Sequence, residues 1–240
     1  MRDQYVGDVS DALKFAYLRA LAGNDRRLGV AWYYVLGEDG KSDGRHVEWR
    51  QEPAWQQLDS VLHTGLSSLP ERSIAELERA AIWPDKVIFH REPMPTRDGR
   101  LAWASRMGHE LRDADLVFLD PDNGIGEDTK KHATMSELQL MRRPGRALVF
   151  ISFPGRNLPH DQLVQRLHLR LTAETGAQNI LTLRTNVSVP RLPGSKFKVQ
   201  RQRWLTILDA DGVLIARAKD FARVLQAVPS VRAQLDHMHS

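Results

Sequence analysis

Short apolar runs along the chain predict buried β-strands. Residues 28–36 are rich in β-branched and aromatic side chains, and residues 116–119 and 147–151 are apolar without interruption. Uninterrupted apolar runs are typical of strands that are covered on both faces, as in a parallel sheet. Two further strands are expected at residues 86–90 and 179–189.

Helical spacing of apolar residues separates these strands. The first helix is expected near the N-terminus, where Asp8 or Ser10 can cap it and Gly23 can end it. Other helices are expected within residues 101–111, 134–141 and 163–171. This alternation of strands and helices predicts a parallel sheet with right-handed crossovers.

Two segments modify this pattern. Residues 53–83 carry two short helical stripes, which predict a small helical insertion. The Asp-Gly pair at 211–212 lies between the apolar segments 203–209 and 213–215, which predicts a type I′ hairpin. The expected fold class is therefore α/β: one domain, residues 1–240, with a mostly parallel doubly wound sheet, an antiparallel edge hairpin and a helical insertion.

A dense polar turn ends the strand at 116–119. It contains Asp120, Pro121, Asp122 and Asn123. Proline cannot donate to a strand ladder, and Asp and Asn favour turns, so the Asp120 carboxylate is expected at the carboxyl end of an interior strand. Open α/β sheets bind ligands at that edge. An ordinary strand followed by an ordinary turn is the alternative interpretation.

Polar residues near the first helix and the first strand are candidates for contact with a cofactor. Asp8, Asp11 and Lys14 are spaced by three, so they project from neighbouring positions at the helix start. A capping residue with an intrahelical ion pair is the simpler interpretation of these three. A glycine-bearing polar loop follows the first strand but matches no phosphate-binding motif. Its candidate contact residues are Asp39, Asp43 and Arg45.

Composition narrows the class of protein. The 240 residues include no cysteine, which excludes disulfides and thiolate metal sites. The chain has no apolar leader and no apolar run that could cross a bilayer, so a cytoplasmic protein without a membrane partner is expected. A net charge of +4 is compatible with an RNA or DNA partner. Candidates for phosphate contact are Arg156 and a cluster formed by Arg191, Lys196, Lys198, Arg201 and Arg203.

With these segments in order, the chain resembles the Rossmann-fold S-adenosylmethionine-dependent methyltransferases. The resemblance is closest to the family that methylates an adenine amine in large-subunit ribosomal RNA. Residues 11–14, Asp-Ala-Leu-Lys, are similar to the start of those enzymes, and residues 120–123, Asp-Pro-Asp-Asn, stand where they carry Asp-Pro-Pro-Tyr. Phe153-Pro154 is similar to the aromatic-proline pair after their next strand. Residues 37–45 replace the glycine-rich loop of the family.

The resemblance implies specific roles for these residues. Asp120 and the Pro121 carbonyl would accept hydrogen bonds from an exocyclic amine, and Phe153 would stack on the flipped base, because Asn123 replaces the family's aromatic residue. Lys14 would meet the carboxylate of the cofactor, S-adenosylmethionine. The implied activity is methyl transfer to an amine of a nucleic-acid base.

Two other interpretations of the same residues stay open at this point. Asp120 and Asp122, joined by Asp8 or Asp11, could bind Mg²⁺ for phosphodiester cleavage or phosphoryl transfer, because Mg²⁺ takes oxygen ligands. A methyltransferase-like fold without catalytic activity could instead serve as a nucleic-acid-binding module. In any of the enzymatic cases, Asp120→Asn is expected to remove activity and leave folding nearly intact, because a turn residue contributes little core area.

Overall fold

A single mixed sheet is present in the computed structural model, which describes residues 1–37, 46–127, 129–155, 157–190 and 198–238, apart from the side chains of residues 190 and 198–201. Its seven strands have the order β2-β1-β3-β4-β6-β5-β7. The strands are β1 (Leu28–Trp32), β2 (Ile88–His90), β3 (Leu116–Asp120), β4 (Ala147–Ser152), β5 (Ile180–Pro190), β6 (Lys198–Leu208) and β7 (Val231–Met238).

Strand direction divides the sheet into a parallel and an antiparallel half. The pairs β1-β2, β1-β3 and β3-β4 are parallel, whereas β4-β6, β5-β6 and β5-β7 are antiparallel. Because β6 is antiparallel to both β4 and β5, strands β1 to β5 share one direction. The expected α/β class, with a mostly parallel sheet and antiparallel strands towards one edge, is confirmed.

Helices cover both faces of the sheet. They are α1 (Val9–Ala22), α2 (Pro53–Leu58), α3 (Ser60–Ser67), α4 (Ile74–Arg79), α5 (Arg100–Glu110), α6 (Met135–Met141), α7 (His160–Thr175) and α8 (Gly212–Leu225). Buried residues of α1, α3, α4 and α8 form one core cluster, and those of α5, α6 and α7 form the other. Among the described residues, no helix combines the length and the apolar character that a membrane span requires.

Residue alternation in β3 sets the direction in which the Asp120 side chain points. Leu116 and Phe118 pack in the cluster that contains α1, whereas Val117 and Leu119 pack in the other cluster. Successive side chains of a strand point to opposite faces, so Asp120 shares the face of Phe118. The carboxylate therefore points towards α1.

Strand order also places Asp120 at a position where open α/β sheets bind ligands. The chain leaves β1 to form β2 on one side, and then crosses to form β3 on the other side. Trp32 at the carboxyl end of β1 lies opposite Asp120 in the register of the β1-β3 pair. The crevice at such a topological switch point is the usual ligand site of doubly wound sheets.

The expected hairpin at residues 211–212 is wrong. Asp211 is instead the N-cap of α8, and its side chain accepts a hydrogen bond from the Leu214 amide. Leu214, Ala218 and Leu225 are buried at helical spacing, and this packing determines the outcome. The antiparallel partners of β6 are therefore β4 and β5. The C-terminal segment forms β7, which pairs with β5 and ends at Met238.

Candidate functional site

An ion pair between α1 and β3 lies at the topological switch point, at the carboxyl end of β3. Lys14 Nζ is 3.0 Å from both carboxylate oxygens of Asp120, although the two residues are 106 positions apart in the chain. Each side chain is 4% exposed. The structure therefore brings together two of the residues that the sequence singled out, and it buries their charges.

Asp11 is the third member of this buried cluster. Its Oδ1 lies 2.7 Å from Lys14 Nζ, and its Oδ2 accepts a hydrogen bond from the Gly7 amide at 2.8 Å. Asp8 caps α1 by accepting from the amides of Ser10 and Asp11. The intrahelical ion pair and the cap expected from the sequence are both present, and Asp120 is added to them from β3.

Burial and neighbouring charges shift the pKa values of this cluster. Burial raises the pKa of Asp11 to about 7; Lys14 opposes the shift, and the negative charges of Asp8 and Asp120 reinforce it. Burial alone would lower the pKa of Lys14, but the carboxylates of Asp11 and Asp120 outweigh it, and the pKa of Lys14 is raised. Lys14 is therefore protonated at any physiological pH, whereas Asp11 titrates near neutrality.

The turn after Asp120 is anchored by contacts within the molecule. The Asp122 carboxylate lies 2.7 Å from the amino group of Met1, which also donates to the Tyr33 carbonyl oxygen at 2.6 Å. Pro121 is buried, whereas Asn123 is exposed. The backbone amide of Asn123 donates to the Lys131 carbonyl oxygen at 2.8 Å. Asp122 therefore links the turn to the end of β1.

The turn packs tightly against the carboxyl end of β4. Gly124 has a φ of +90°, and a Cβ at this position would lie 2.5 Å from Cβ of Ser152. Only glycine tolerates both the backbone angle and the close approach. Ser152 Oγ is buried without a hydrogen-bond partner in the described part of the chain, so the site contains an unsatisfied hydroxyl group next to the Asp120 turn.

The turn at Phe153, for which the resemblance implies stacking on a base, joins the site through Arg203. The guanidinium carbon of Arg203 lies 4.7 Å from the centroid of the Phe153 ring, and its Nε lies 2.6 Å from Ser10 Oγ. The place of Arg203 in a basic cluster of the sequence predicts a phosphate contact and not this packing against Phe153. Alternation along β6 is the signal that could have found it, because Leu205 and Ile207 pack in the cluster that contains α1.

Several candidate residues lie outside the described part of the chain. They are Asp39, Asp43 and Arg45 of the first loop, Arg156, and Arg191 and Lys196 of the connection between β5 and β6. Lys198 and Arg201 belong to β6, but their side chains are not among those described. Their assignment to cofactor or nucleic acid stays a prediction.

The magnesium interpretation finds no support among the described residues. No group of three His, Cys, Asp or Glu side chains in these ranges is arranged to hold a metal ion. Both oxygens of Asp120 instead contact the ammonium group of Lys14. A cation site at Asp120 and Asp122 would have to displace two ion pairs.

The polar groups at this edge fit the amino-acid end of S-adenosylmethionine. Lys14 offers an ammonium group for the carboxylate of that end, and Ser152 Oγ, next to the turn that follows Asp120, is an unsatisfied hydroxyl. Because Lys14 and Asp120 are almost fully buried, a ligand can contact them only when covering residues move.

Comparison with solved structures finds remote similarity to several proteins. No protein-family model matches the chain, and no curated protein matches it. A S-adenosylmethionine-dependent methyltransferase from Agrobacterium tumefaciens superposes over 83% of this chain with 13% identity and a TM-score of 0.41. The chain spans 62% of the length of that protein.

Two further solved structures are similar at the same level. The superposition with precorrin-6y C5,15-methyltransferase from Geobacter metallireducens covers 82% of this chain and 86% of that protein, at 9% identity and a TM-score of 0.35. The superposition with precorrin 8w decarboxylase from Methanobacterium thermoautotrophicum covers 82% of this chain and 90% of that protein, at 9% identity and a TM-score of 0.36. At these identities and TM-scores, the similarities indicate neither an activity nor a substrate.

Proposed function

We propose that this chain is a S-adenosylmethionine-dependent methyltransferase that acts on an amine of a nucleic-acid base. The observation that carries the proposal is the Asp120 carboxylate at the switch point of the sheet, held 3.0 Å from the ammonium group of Lys14. This position is the one at which doubly wound sheets bind nucleotide-like ligands.

The proposed chemistry uses Asp120, Pro121 and Lys14. When bound, the cofactor supplies an electrophilic methyl group. The Asp120 carboxylate and the Pro121 carbonyl oxygen accept hydrogen bonds from the two N–H groups of the acceptor amine, which directs its lone pair at the methyl carbon. Asp120 accepts the proton that the amine loses. Lys14 has three N–H donors, so it can hold the carboxylate of the cofactor while it keeps a hydrogen bond to Asp120.

Phe153 and Arg203 support a nucleic-acid base as the acceptor. An aromatic ring beside the reacting amine offers a stacking surface for a base that has been flipped out of its duplex or taken from a single strand. Arg203, 4.7 Å from that ring, adds a positive charge that suits a phosphate backbone. The net charge of +4 favours the same class of partner.

Calorimetric titration with S-adenosylmethionine and S-adenosylhomocysteine tests the cofactor. We expect micromolar binding of both, and Lys14→Gln is expected to weaken it at least tenfold, because a buried charge-assisted contact contributes roughly 1.5–3 kcal/mol. Lys219→Met, at an exposed position on α8, is the matched control and should bind like the wild type. The thermal midpoint of each variant is measured first, to verify folding.

Transfer of tritiated methyl groups to RNA and DNA tests the acceptor. We expect incorporation into one of these polymers, and Asp120→Asn should abolish it while cofactor binding persists. Absence of binding by either adenosyl ligand would reject the cofactor and the proposed activity. Binding without transfer to any nucleic acid would reject the acceptor class alone.

A further inference from the structure

Two buried carboxylates share one buried ammonium group in the candidate site. Asp11 and Asp120 both contact Lys14 Nζ, and the three side chains are at most 4% exposed. With all three groups ionised, the cluster carries a net negative charge. Burial of a net charge is unfavourable, so this cluster has a tendency to take up a proton.

The number of contacts that Lys14 makes with each carboxylate indicates which oxygen takes the proton. Both oxygens of Asp120 contact Lys14 Nζ, whereas Asp11 contacts it through Oδ1 alone. Asp11 Oδ2 is already occupied by the amide of Gly7. When Lys14 turns away from Asp11, Oδ1 is therefore the atom that loses its donor.

The charges around Asp11 come from several elements. Asp8 and Lys14 face it from α1, and Asp120 faces it from β3. Arg203 reaches the same helical turn from β6 through Ser10, and Arg50 contacts the carbonyl oxygen of Gly7. Burial, reinforced by the neighbouring carboxylates, outweighs Lys14 and raises the pKa of Asp11 to about 7.

We infer that Asp11 takes up a proton when the carboxylate of a ligand binds to Lys14, so that ligand binding and protonation are linked. The inference rests on the proposed function. With a ligand carboxylate present, the three N–H donors of Lys14 face three carboxylates, those of Asp11, Asp120 and the ligand. Lys14 turns from Asp11 Oδ1 to the ligand, and an O–H bond forms between Oδ1 and a proton from solvent, with no other covalent change. Asp120 stays ionised and available to the acceptor amine.

Calorimetry in buffers of different ionisation enthalpy measures this proton uptake. The wild-type protein is titrated with S-adenosylhomocysteine in phosphate and in Tris, and the difference in heat gives the number of protons bound. At about pH 8 we expect between about half a proton and one proton per ligand, and at about pH 6 much less, because Asp11 is then already protonated. The ligand 5′-methylthioadenosine, which has no carboxylate, should bind without uptake.

A pair of variants assigns the proton to Asp11. Asp11→Asn should bind S-adenosylhomocysteine with almost no proton uptake at about pH 8. Glu137→Gln is the matched control, because Glu137 is also a buried carboxylate paired with a cation, Arg100, and it should show the wild-type uptake. Full uptake in Asp11→Asn would overturn the inference.

The remaining outcomes are also decisive. If Asp11→Asn does not fold, two measurements on the wild-type protein test the inference: the pH dependence of proton uptake and the comparison with 5′-methylthioadenosine. Equal proton uptake with S-adenosylhomocysteine and 5′-methylthioadenosine overturns the inference. Binding of S-adenosylhomocysteine without uptake overturns the inference and leaves the proposed function intact. Absence of binding by any adenosyl ligand overturns both.

Discussion

Arg203 lies over the ring of Phe153, with its guanidinium carbon 4.7 Å from the ring centroid. The same side chain donates to Ser10 Oγ at 2.6 Å. Arg203 therefore links the turn after β4 to the first turn of α1, and both belong to the candidate site. The cation–π contact, which contributes about 0.5–2 kcal/mol, also holds the ring in one orientation.

Arg203→Gln is expected to weaken nucleic-acid binding more than cofactor binding. The change removes a positive charge and the support of the Phe153 ring, but it does not alter Lys14 or Asp120. We expect the Kd for a fluorescently labelled single-stranded RNA to rise about fivefold to thirtyfold, measured by anisotropy at constant salt. Arg203→Lys should show a smaller loss, because it retains the charge and not the planar group.

The control for this prediction is Arg223→Gln, which removes a charge from a side chain of α8 that is 75% exposed. It should change the Kd by less than about twofold, because a distant exposed charge is screened by salt. Equal losses in Arg203→Gln and Arg223→Gln would show that Arg203 acts only through net charge.

Lys14→Met is expected to destabilise the protein more than Asp120→Asn does. Removal of Lys14 leaves two buried carboxylates without a cation, and breaking a buried pair in this way costs about 3–5 kcal/mol. Asp120→Asn leaves Lys14 paired with Asp11, and the cluster becomes neutral. We therefore expect a loss of only about 1–2 kcal/mol for Asp120→Asn, measured by urea unfolding at neutral pH.

The burial of Asp120 corrects the expectation that its substitution leaves folding nearly intact. The residue is 3% exposed and belongs to a charged cluster, so it contributes to stability as well as to the site. A larger loss for Asp120→Asn than for Lys14→Met would mean that Asp11 does not stabilise Lys14 by itself.

The parts of the fold that follow from local patterns could be predicted from the sequence. Strands β1, β3 and β4 are short runs of apolar residues, and every residue of β1 and β3 is buried, so the apolar pattern and the burial agree. The caps of α1 and α6 depend on residues within three positions: Asp8, one of the two caps expected for α1, accepts from Ser10 and Asp11, and Thr134 accepts from Glu137.

The parts that depend on distant packing could not be predicted. An Asp-Gly pair is both a hairpin signal and a helix start, and at 211–212 the burial of Leu214 and Phe221 against the sheet favours the helix. The contact between Lys14 and Asp120 joins positions 106 residues apart and depends on strand order. The sequence indicated that both residues were functional candidates, but it could not show that each would neutralise the other.

Gly124→Ala is expected to destabilise the protein more than Gly145→Ala does. Both glycines have positive φ, +90° and +77°, so an added Cβ strains either backbone by roughly 1–2 kcal/mol. At Gly145 the new Cβ would meet no atom within 4 Å, whereas at Gly124 it would lie 2.5 Å from Cβ of Ser152. The overlap should add about 1–3 kcal/mol at Gly124 alone.

Thermal and urea unfolding of the two glycine variants, measured side by side, give this difference directly. Because the Gly124 overlap would push the Asp120 turn away from β4, the same variant should also lose cofactor affinity, and Gly145→Ala should not. Equal stability of the two variants would show that the turn and the end of β4 are not in contact.

His168 is expected to make the protein less stable as the pH falls through the weakly acidic range. It is 4% exposed, and its Nε2 lies 2.7 Å from Thr182 Oγ1. Burial lowers the pKa of His168 from 6.5 to about 4, with Arg184 and His237 acting in the same direction and Asp236 opposing them. Between these two values the unfolded chain binds a proton that the folded chain does not bind, so the free energy of unfolding decreases as the pH is lowered.

The contribution of neutral His168 to the free energy of unfolding is fully present above pH 6.5 and is lost as the pH falls towards 4. Asp11 changes the stability in the opposite direction. Its pKa is raised to about 7, so its contribution to the free energy of unfolding is lost as the pH rises. The informative quantity is therefore the difference between His168→Gln and the wild type, measured by urea unfolding at about pH 4.5, 5.5 and 7.5. The variant should lose less stability than the wild type between the highest and the lowest pH, because glutamine has no proton to bind. Parallel pH profiles for the two proteins would mean that His168 is accessible to solvent and titrates normally in the folded state.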